Sequence, residues 1–428
     1  MFNILFRIPS LRLNQKYIAC IPAVSSLLFC FLIVFAFTGV SFAEEITVGM
    51  SAAFKGATGG LGSELYRGSM AYIEHVNRNG GIHGKKLRII AYDDGYNPVP
   101  AIKNTIRLID EDIFLLFDYV GTPTVTRMLP ILKSNAQKHI YLFFPFTGAQ
   151  PHRQQPYGEF VFNLRASYQQ ETGGLVDNFV REGRKRIAVF YQVDAYGRSG
   201  WDGVQKTLAR YGLRIVGETT YRRGTTYSDS MQQQVEILKA TDPDAIISIG
   251  AYAACAAFIR DARNSGLNMP IANVSFVGTE FLINLLLEEG RKSGKDYTVN
   301  LINSQVVPSY EDTSLNAVRE YRMLMDKYNT SPPLHLLEEE YRPLRYSFVS
   351  FEGFLNAKLL VEILSIMGKN PERADIRATV EAIRNLDIGI DSLVSFGPEK
   401  HQGLDKVYYT TVKNGQSVPI RDWSEWKK

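Results

Sequence analysis

Ile113-Phe-Leu-Leu-Phe-Asp-Tyr-Val-Gly-Thr-Pro-Thr124 holds the plan of this chain in twelve residues. Residues 113–120 are an apolar run long enough for a buried strand, Gly121 and Thr122 form a loop, and an amphipathic stretch follows over 124–138. The same unit recurs on either side. Apolar runs at 46–51, 87–92, 140–144, 187–191, 245–249 and 271–277 read as strands, and 62–79, 99–110, 168–182, 199–211 and 228–240 read as helices. Regular alternation of this kind predicts an α/β fold with mostly parallel sheets flanked by helices. In such sheets the carboxyl ends of the strands open onto one crevice. Gly121, Thr122, Thr147, Gly148, Tyr196, Tyr252 and Glu280 all fall at such strand mouths, an arrangement suited to a small polar molecule.

The alternating blocks run over about 45–164 and about 165–307, and a chain of 428 residues has room for two cores. The remainder differs. Residues 315–328, 344–367 and 374–386 read as helices, and 406–412 as a strand leading into an Asn414-Gly415 turn. These pieces are too few for a third domain, so the chain is expected to cross back over the first two blocks.

Residues 1–43 stand apart. Arg7, Arg12 and Lys16 precede an uncharged stretch from Tyr17 to Ala43 that ends in Val-Ser-Phe-Ala, the pattern of a cleaved secretory signal. An uncleaved membrane anchor is the alternative, since the stretch is long enough to span a bilayer. Without it the chain carries 45 Lys/Arg against 44 Asp/Glu, a formal +1, with no concentrated basic face for nucleic acid. Cys255 is then the sole cysteine and has no disulfide partner within the chain. It reads as a small buried hydrophobe.

Two longer quotations carry a resemblance. Glu45-Ile-Thr-Val-Gly-Met-Ser51, followed by Asn79-Gly-Gly-Ile-His-Gly-Lys-Lys-Leu-Arg-Ile-Ile-Ala-Tyr-Asp-Asp94, resembles the opening of branched-chain amino-acid (Leu/Ile/Val)-binding proteins, the type I periplasmic solute receptors of ABC importers. The similarity continues in order to about Gly403. It implies two lobes joined by three hinge crossovers near 164–167, 305–308 and 394–398. Lobe 1 would comprise 44–164 with about 308–393, and lobe 2 would comprise 165–307 with about 394–428. The ligand would be enclosed between them by hinge closure.

By the same resemblance, Gly121 and Thr122 hold a ligand carboxylate, and Thr147 and Gly148 flank the ligand's polar ends. Tyr196 and Tyr252 cover it, and Glu280 meets its ammonium. Each position also has an ordinary explanation: Gly121-Thr122-Pro123 suits a plain helix start, and Glu280 suits the first turn of a helix. Leu61, Tyr119 and Phe146 are candidate pocket-shaping residues. Leu61 replaces an aromatic residue of some relatives and Phe146 a smaller one, so a leucine preference does not transfer.

An enzyme is the first rival, and the residues give it little. Gly60-Leu-Gly62 fails the dinucleotide pattern because Leu65 stands where its third glycine belongs. The six histidines are scattered without metal-ligand spacing, so no metal or cofactor is expected. A sensory module reporting to a membrane partner is the closer rival, as is a receptor for a small amide, urea or carboxylate. The expectation is a monomeric, periplasmic receptor for an amino acid or similar zwitterion, delivering to the membrane subunits of an ABC transporter.

Overall fold

The computed structural model describes residues 44–427, so the signal-or-anchor reading of 1–43 lies outside the described residues. Two parallel sheets organise this body. The first has the order β2-β1-β3-β4-β5, with β1 Glu45–Ala52, β2 Lys86–Asp93, β3 Leu115–Phe117, β4 Leu142–Phe143 and β5 Val161–Phe162. The second runs β14-β13-β10-β9-β8-β6-β7, where β6 is Ile187–Gln192, β7 Gly217–Tyr221, β8 Ala245–Ile249, β9 Ile271–Asn273 and β10 Leu301–Gln305. β13 (Tyr408–Lys413) and β14 (Gln416–Pro419) close its far edge as an antiparallel hairpin. Asn414 and Gly415 both sit at positive φ, 52° and 74°, as a tight hairpin turn requires.

Both sheets place their first strand beside their second and third, so each has a switch point where successive crossovers leave in opposite directions. In the first sheet this lies between β1 and β3, in the second between β6 and β8. Ligand crevices of open α/β sheets form at such points, outside the carboxyl ends of the strands. Thr122 follows β3; Tyr196 and Tyr252 follow β6 and β8. The fold thus delivers these residues to the one place on each sheet where two loops part.

The C-terminal helices return as expected. Asn316–Tyr328 and Phe348–Met367 pack on the Gly59–Arg78 helix of the first sheet. The closest approach is backbone to backbone: a Cβ on Gly68 would lie 1.7 Å from the Ser350 carbonyl oxygen, and one on Gly353 would lie 2.2 Å from that of Leu65. Only glycine permits this approach.

Several expected boundaries shift, each for a local reason. The run 113–120 is continuous strand only over Leu115–Phe117, with Val120 making a single bridge to Phe146, because Asp118 turns to φ 54° and its carboxylate accepts from Ser69 Oγ and Asn356 Nδ2 at 2.5 and 2.7 Å. The run 271–277 is strand only to Asn273, after which Ser275–Val277 winds into a 3₁₀ turn. The helix read over 344–367 begins at Phe348, where the Ser347 side chain accepts the Ser350 N–H. The stretch 374–386 holds only the short helix Ile376–Glu381 before β11, Leu386–Asp387, pairs with β12, Leu393–Val394.

Candidate functional site

The loops after the first sheet's strands meet those after the second's through an aromatic seam. Phe276, in the turn after β9, lies 5.8 Å from Tyr96, 5.4 Å from Phe146 and 4.7 Å from Tyr196, measured between ring centres. Tyr168 lies 5.0 Å from Tyr196. All five rings are buried, and they join the apolar interiors of the two sheets into one cluster. Polar contacts cross the same seam. Gln192 Nε2 donates to the Tyr96 hydroxyl at 3.3 Å, and the Gly60 N–H donates to the Tyr252 hydroxyl at 3.4 Å.

Thr122 and Thr147 are brought together, their hydroxyls 2.7 Å apart and both buried. Gly121 and Gly148 sit beside them for steric reasons. At φ 98°, a Cβ on Gly121 would fall 2.1 Å from the Tyr96 ring, and one on Gly148 would fall 2.6 Å from the Tyr168 backbone nitrogen. Tyr196, fully buried, donates to the Gly250 carbonyl at 3.1 Å. Tyr252 stacks on Phe281 at 4.9 Å, and burial pushes its phenol up to about 12. Leu61 abuts Gly278, where an added Cβ would meet it at 2.7 Å.

Tyr119 departs from its expected place. Its hydroxyl lies 3.2 Å from Thr105 Oγ1, within the apolar core under the Pro98–Asp110 helix, so it does not shape the cleft. The cause is alternation, because neighbours along an extended chain face opposite sides of a sheet.

Glu280 opens the Thr279–Ser293 helix. Its Oε1 accepts the Phe348 N–H at 3.4 Å, while its buried Oε2 has no hydrogen-bond partner among the described residues. Burial pushes this carboxyl up to about 7; the Tyr310 hydroxyl beside it and the Phe348 amide only partly offset that. The side chain also lines a cavity of about 150 Å³ with Asn284, Tyr310 and Glu311. Among the described residues no cation pairs with this desolvated carboxylate, which is electrostatically suited to a positively charged partner.

Residues that sequence reasoning passed over sit at the heart of the seam. Arg165 is 1% exposed, with its guanidinium 4.5 Å from the centre of the Phe146 ring and 6.0 Å from that of Tyr168. One nitrogen, Nη2, donates to Ser275 Oγ. Glu171 and Glu352 lie 3.7 and 3.6 Å away as ion partners. Burial pushes Glu352 up to about 7 against the pull of Arg165. The sequence signal for Arg165 was a single cation between Leu164 and Ala166, in a stretch noted only as a crossover. Tyr96, Tyr168 and Phe276 gave no signal separate from packing.

The chain belongs to the periplasmic binding protein family, whose model matches residues 45–417. A crystal structure of a possible leucine/isoleucine/valine-binding protein from Rhodopirellula baltica superimposes with a TM-score of 0.79 at 32% identity, covering 90% of this chain and 98% of that one. The Leu/Ile/Val-binding protein of Escherichia coli K12 is 23% identical over 60% of this chain and 66% of its own length. An amino acid binding protein of Pseudomonas aeruginosa is 24% identical over 52% of this chain. The chain spans 58% of that relative's length. A fatty acid ABC transporter substrate-binding protein from Thermomonospora curvata shares the fold with a TM-score of 0.74 at 19% identity, covering 88% of this chain and 91% of that one. The family's members are binding proteins, not enzymes. Among the described residues no helix is long and apolar enough to cross a membrane, and no group of His, Cys, Asp or Glu could hold a metal ion.

Proposed function

We propose that this protein is an extracytoplasmic solute receptor that closes its two lobes over an amino acid or closely related zwitterion and presents it to the membrane subunits of an ABC importer. The observation that carries this reading is the convergence of polar groups from loops after the strands of both sheets: the buried Thr122–Thr147 pair from one, buried Tyr196 and partly buried Tyr252 from the other. Glu280 adds a desolvated carboxylate suited to an ammonium group. Hinges near 164–167, 305–308 and 394–398 would let lobe 1 (44–164 with about 308–393) move against lobe 2. Ligand would then shift the open population toward the closed one.

In this reading Thr122 and Thr147 offer hydroxyls to the ligand, while Gly121 and Gly148 let Tyr96 and Tyr168 pack beside them. Leu61 and Phe146 set the pocket's size. A leucine-type side chain is not implied, because relatives on this fold are named for ligands as different as branched-chain amino acids and fatty acids. The test is calorimetric titration of the protein, stripped of ligand by unfolding and refolding, with the twenty amino acids, short amides, urea and small carboxylates. Saturable binding of an amino acid supports the reading; binding confined to uncharged amides overturns the zwitterion assignment.

A further inference from the structure

The loop that carries Thr147 is tied to two chain crossovers by one side chain that lies outside the cleft. Arg153 follows this loop after a single 3₁₀ turn, Gln150–His152, and its half-buried guanidinium reaches back across it. Nη1 donates to the Ala149 carbonyl at 2.9 Å and lies 3.5 Å from that of Thr147. Nη2 donates to the Arg165 carbonyl at 3.0 Å, and Nε donates to Gln402 Oε1 at 2.8 Å. All three nitrogens are taken up by uncharged acceptors. These acceptors come from three separate passages of chain: the Thr147 loop, the first expected crossover, and the stretch just past the third.

The link continues into the second sheet's helices. Gln402 Nε2 donates to Gln170 Oε1 at 2.9 Å, and the same oxygen accepts the Ser167 N–H at 2.7 Å. Ser167 and Gln170 form the capping box of the Tyr168–Arg181 helix, which packs on β8 and β10. At the next residue the Tyr168 N–H donates to the Gly148 carbonyl at 2.8 Å. The Thr147 loop therefore holds the start of this helix twice, directly at Tyr168 and through Arg153, Gln402 and Gln170 at Ser167. The two crossover passages are themselves zipped together: Asn163 N–H donates to the His401 carbonyl at 2.7 Å, Gly403 N–H to that of Asn163 at 2.8 Å, and Leu404 N–H to that of Leu164 at 2.9 Å. One side of the link is open to water, because Arg153, Gln170, Gln402 and Asp405 line a cavity of about 700 Å³. Water entering from there can solvate each acceptor that a shorter side chain would free. It cannot hold the acceptors at fixed positions relative to one another.

We infer that Arg153 is a positioning residue that fixes the Thr147 loop and the angle between the lobes together, so that filling the cleft beside Thr147 and closing the lobes become one event. This rests on the solute-receptor reading and deepens it. Arg153 acts without touching the ligand: it biases the same open-to-closed equilibrium that the ligand biases, which is what couples the two. Arginine suits the task because its planar fork aims several donors in fixed directions at once. Lysine keeps the charge, but its single ammonium on a flexible stem cannot brace three passages of chain in the same way.

The test uses residues 44–428, stripped of ligand, with nitroxide labels at Lys103→Cys on the Pro98–Asp110 helix and Gln233→Cys on the Gln232–Lys239 helix. Both positions are exposed and Cys255 is buried, so the labels report the distance between the lobes. Electron–electron resonance gives the distance distribution without ligand, and calorimetry with the twenty amino acids gives dissociation constants. Arg153→Gln is expected to broaden the ligand-free distribution and to weaken binding by about 3- to 30-fold. Arg153→Lys should behave like Arg153→Gln rather than like the wild type. Gln402→Leu should show part of the same effect, and the double variant less than the sum of the two. A wild-type distribution in folded Arg153→Gln, an unchanged dissociation constant, or full rescue by lysine overturns the inference and leaves the receptor reading standing. A lower melting temperature alone does the same, since it would make Arg153 merely structural. Should Arg153→Gln fail to fold, Gln402→Leu decides by the same two readings. If no amino acid binds the wild-type protein, the zwitterion reading fails, and the distance distributions alone uphold or overturn the link between Arg153 and the lobe angle.

Discussion

Among the described residues Glu280 keeps one buried hydrogen-bonding atom, Oε2, without a partner, and Arg165 keeps two, Nε and Nη1. If Glu280 meets an ammonium group, Glu280→Gln weakens amino-acid binding by about 2–5 kcal/mol, the cost of leaving one partner of a desolvated pair alone. An unchanged dissociation constant in a folded variant would remove it from the site. Its titration makes a separate prediction for the ligand-free protein. The folded carboxyl titrates at about 7, raised from 4.5, so between these values the folded state holds more protons than the unfolded one. The stability it contributes is fully present below pH 4.5 and is lost as pH rises through 7. The melting temperature of Glu280→Gln relative to wild type should therefore climb between pH 5 and pH 8; a difference that stays flat with pH would contradict the assignment. Glu280 stood out in the sequence because it follows the apolar run 271–277, where the structure starts a helix. Arg165 did not, because Ser275 and Glu352 are remote in sequence, Glu171 sits unremarked in the helix that follows, and a single charge carries no periodic signal.

At the scale of elements, what the sequence revealed depended on how many faces of a segment are apolar. Strands buried on both faces, such as β6 and β8, announced themselves as continuous apolar runs. β7, Gly217-Glu-Thr-Thr-Tyr221, is an edge strand and passed unnoticed, as did β10, Leu301-Ile-Asn-Ser-Gln305, whose polar residues are buried. Most of their polar atoms are paired there: Asn303 Oδ1 accepts from Asn273 at 3.1 Å, Ser304 donates to Glu171, and Gln305 donates to Thr279 Oγ1 at 2.8 Å, while Asn303 Nδ2 has no partner among the described residues. Hydrophobic pattern cannot find a strand whose inward side chains are hydrogen-bonded. The Gly68–Gly353 crossing makes the prediction at this scale. Gly68→Ala must push apart the Gly59–Arg78 and Phe348–Met367 helices, at a cost of about 1–3 kcal/mol in urea unfolding. An unshifted midpoint would mean that this crossing does not hold the C-terminal helices against the first sheet.

The whole molecule is two sheets whose switch points face one seam, and the contacts across it are few and directional. Tyr252 reaches Gly60 and stacks on Phe281, itself pressed so close to Gly60 that an added Cβ there would lie 2.6 Å from the Phe281 ring. If the lobes close over a ligand as proposed, closing makes these contacts and opening breaks them. Tyr252→Ala should therefore speed ligand dissociation with little change in association rate, measured by stopped-flow fluorescence. A loss of thermal stability alone would return Tyr252 to simple packing. The ordered run of motifs made the two-lobe fold legible. The ligand's chemistry was not, because it depends on which buried groups are left unbonded once the chain has folded. The central claim is that the seam receives a small zwitterion, and calorimetric titration of stripped residues 44–428 with the twenty amino acids, short amides, urea and small carboxylates tests it most directly. The account predicts saturable, single-site binding of at least one amino acid, abolished or strongly weakened in Glu280→Gln; binding only of uncharged amides, or none across the panel, would contradict it.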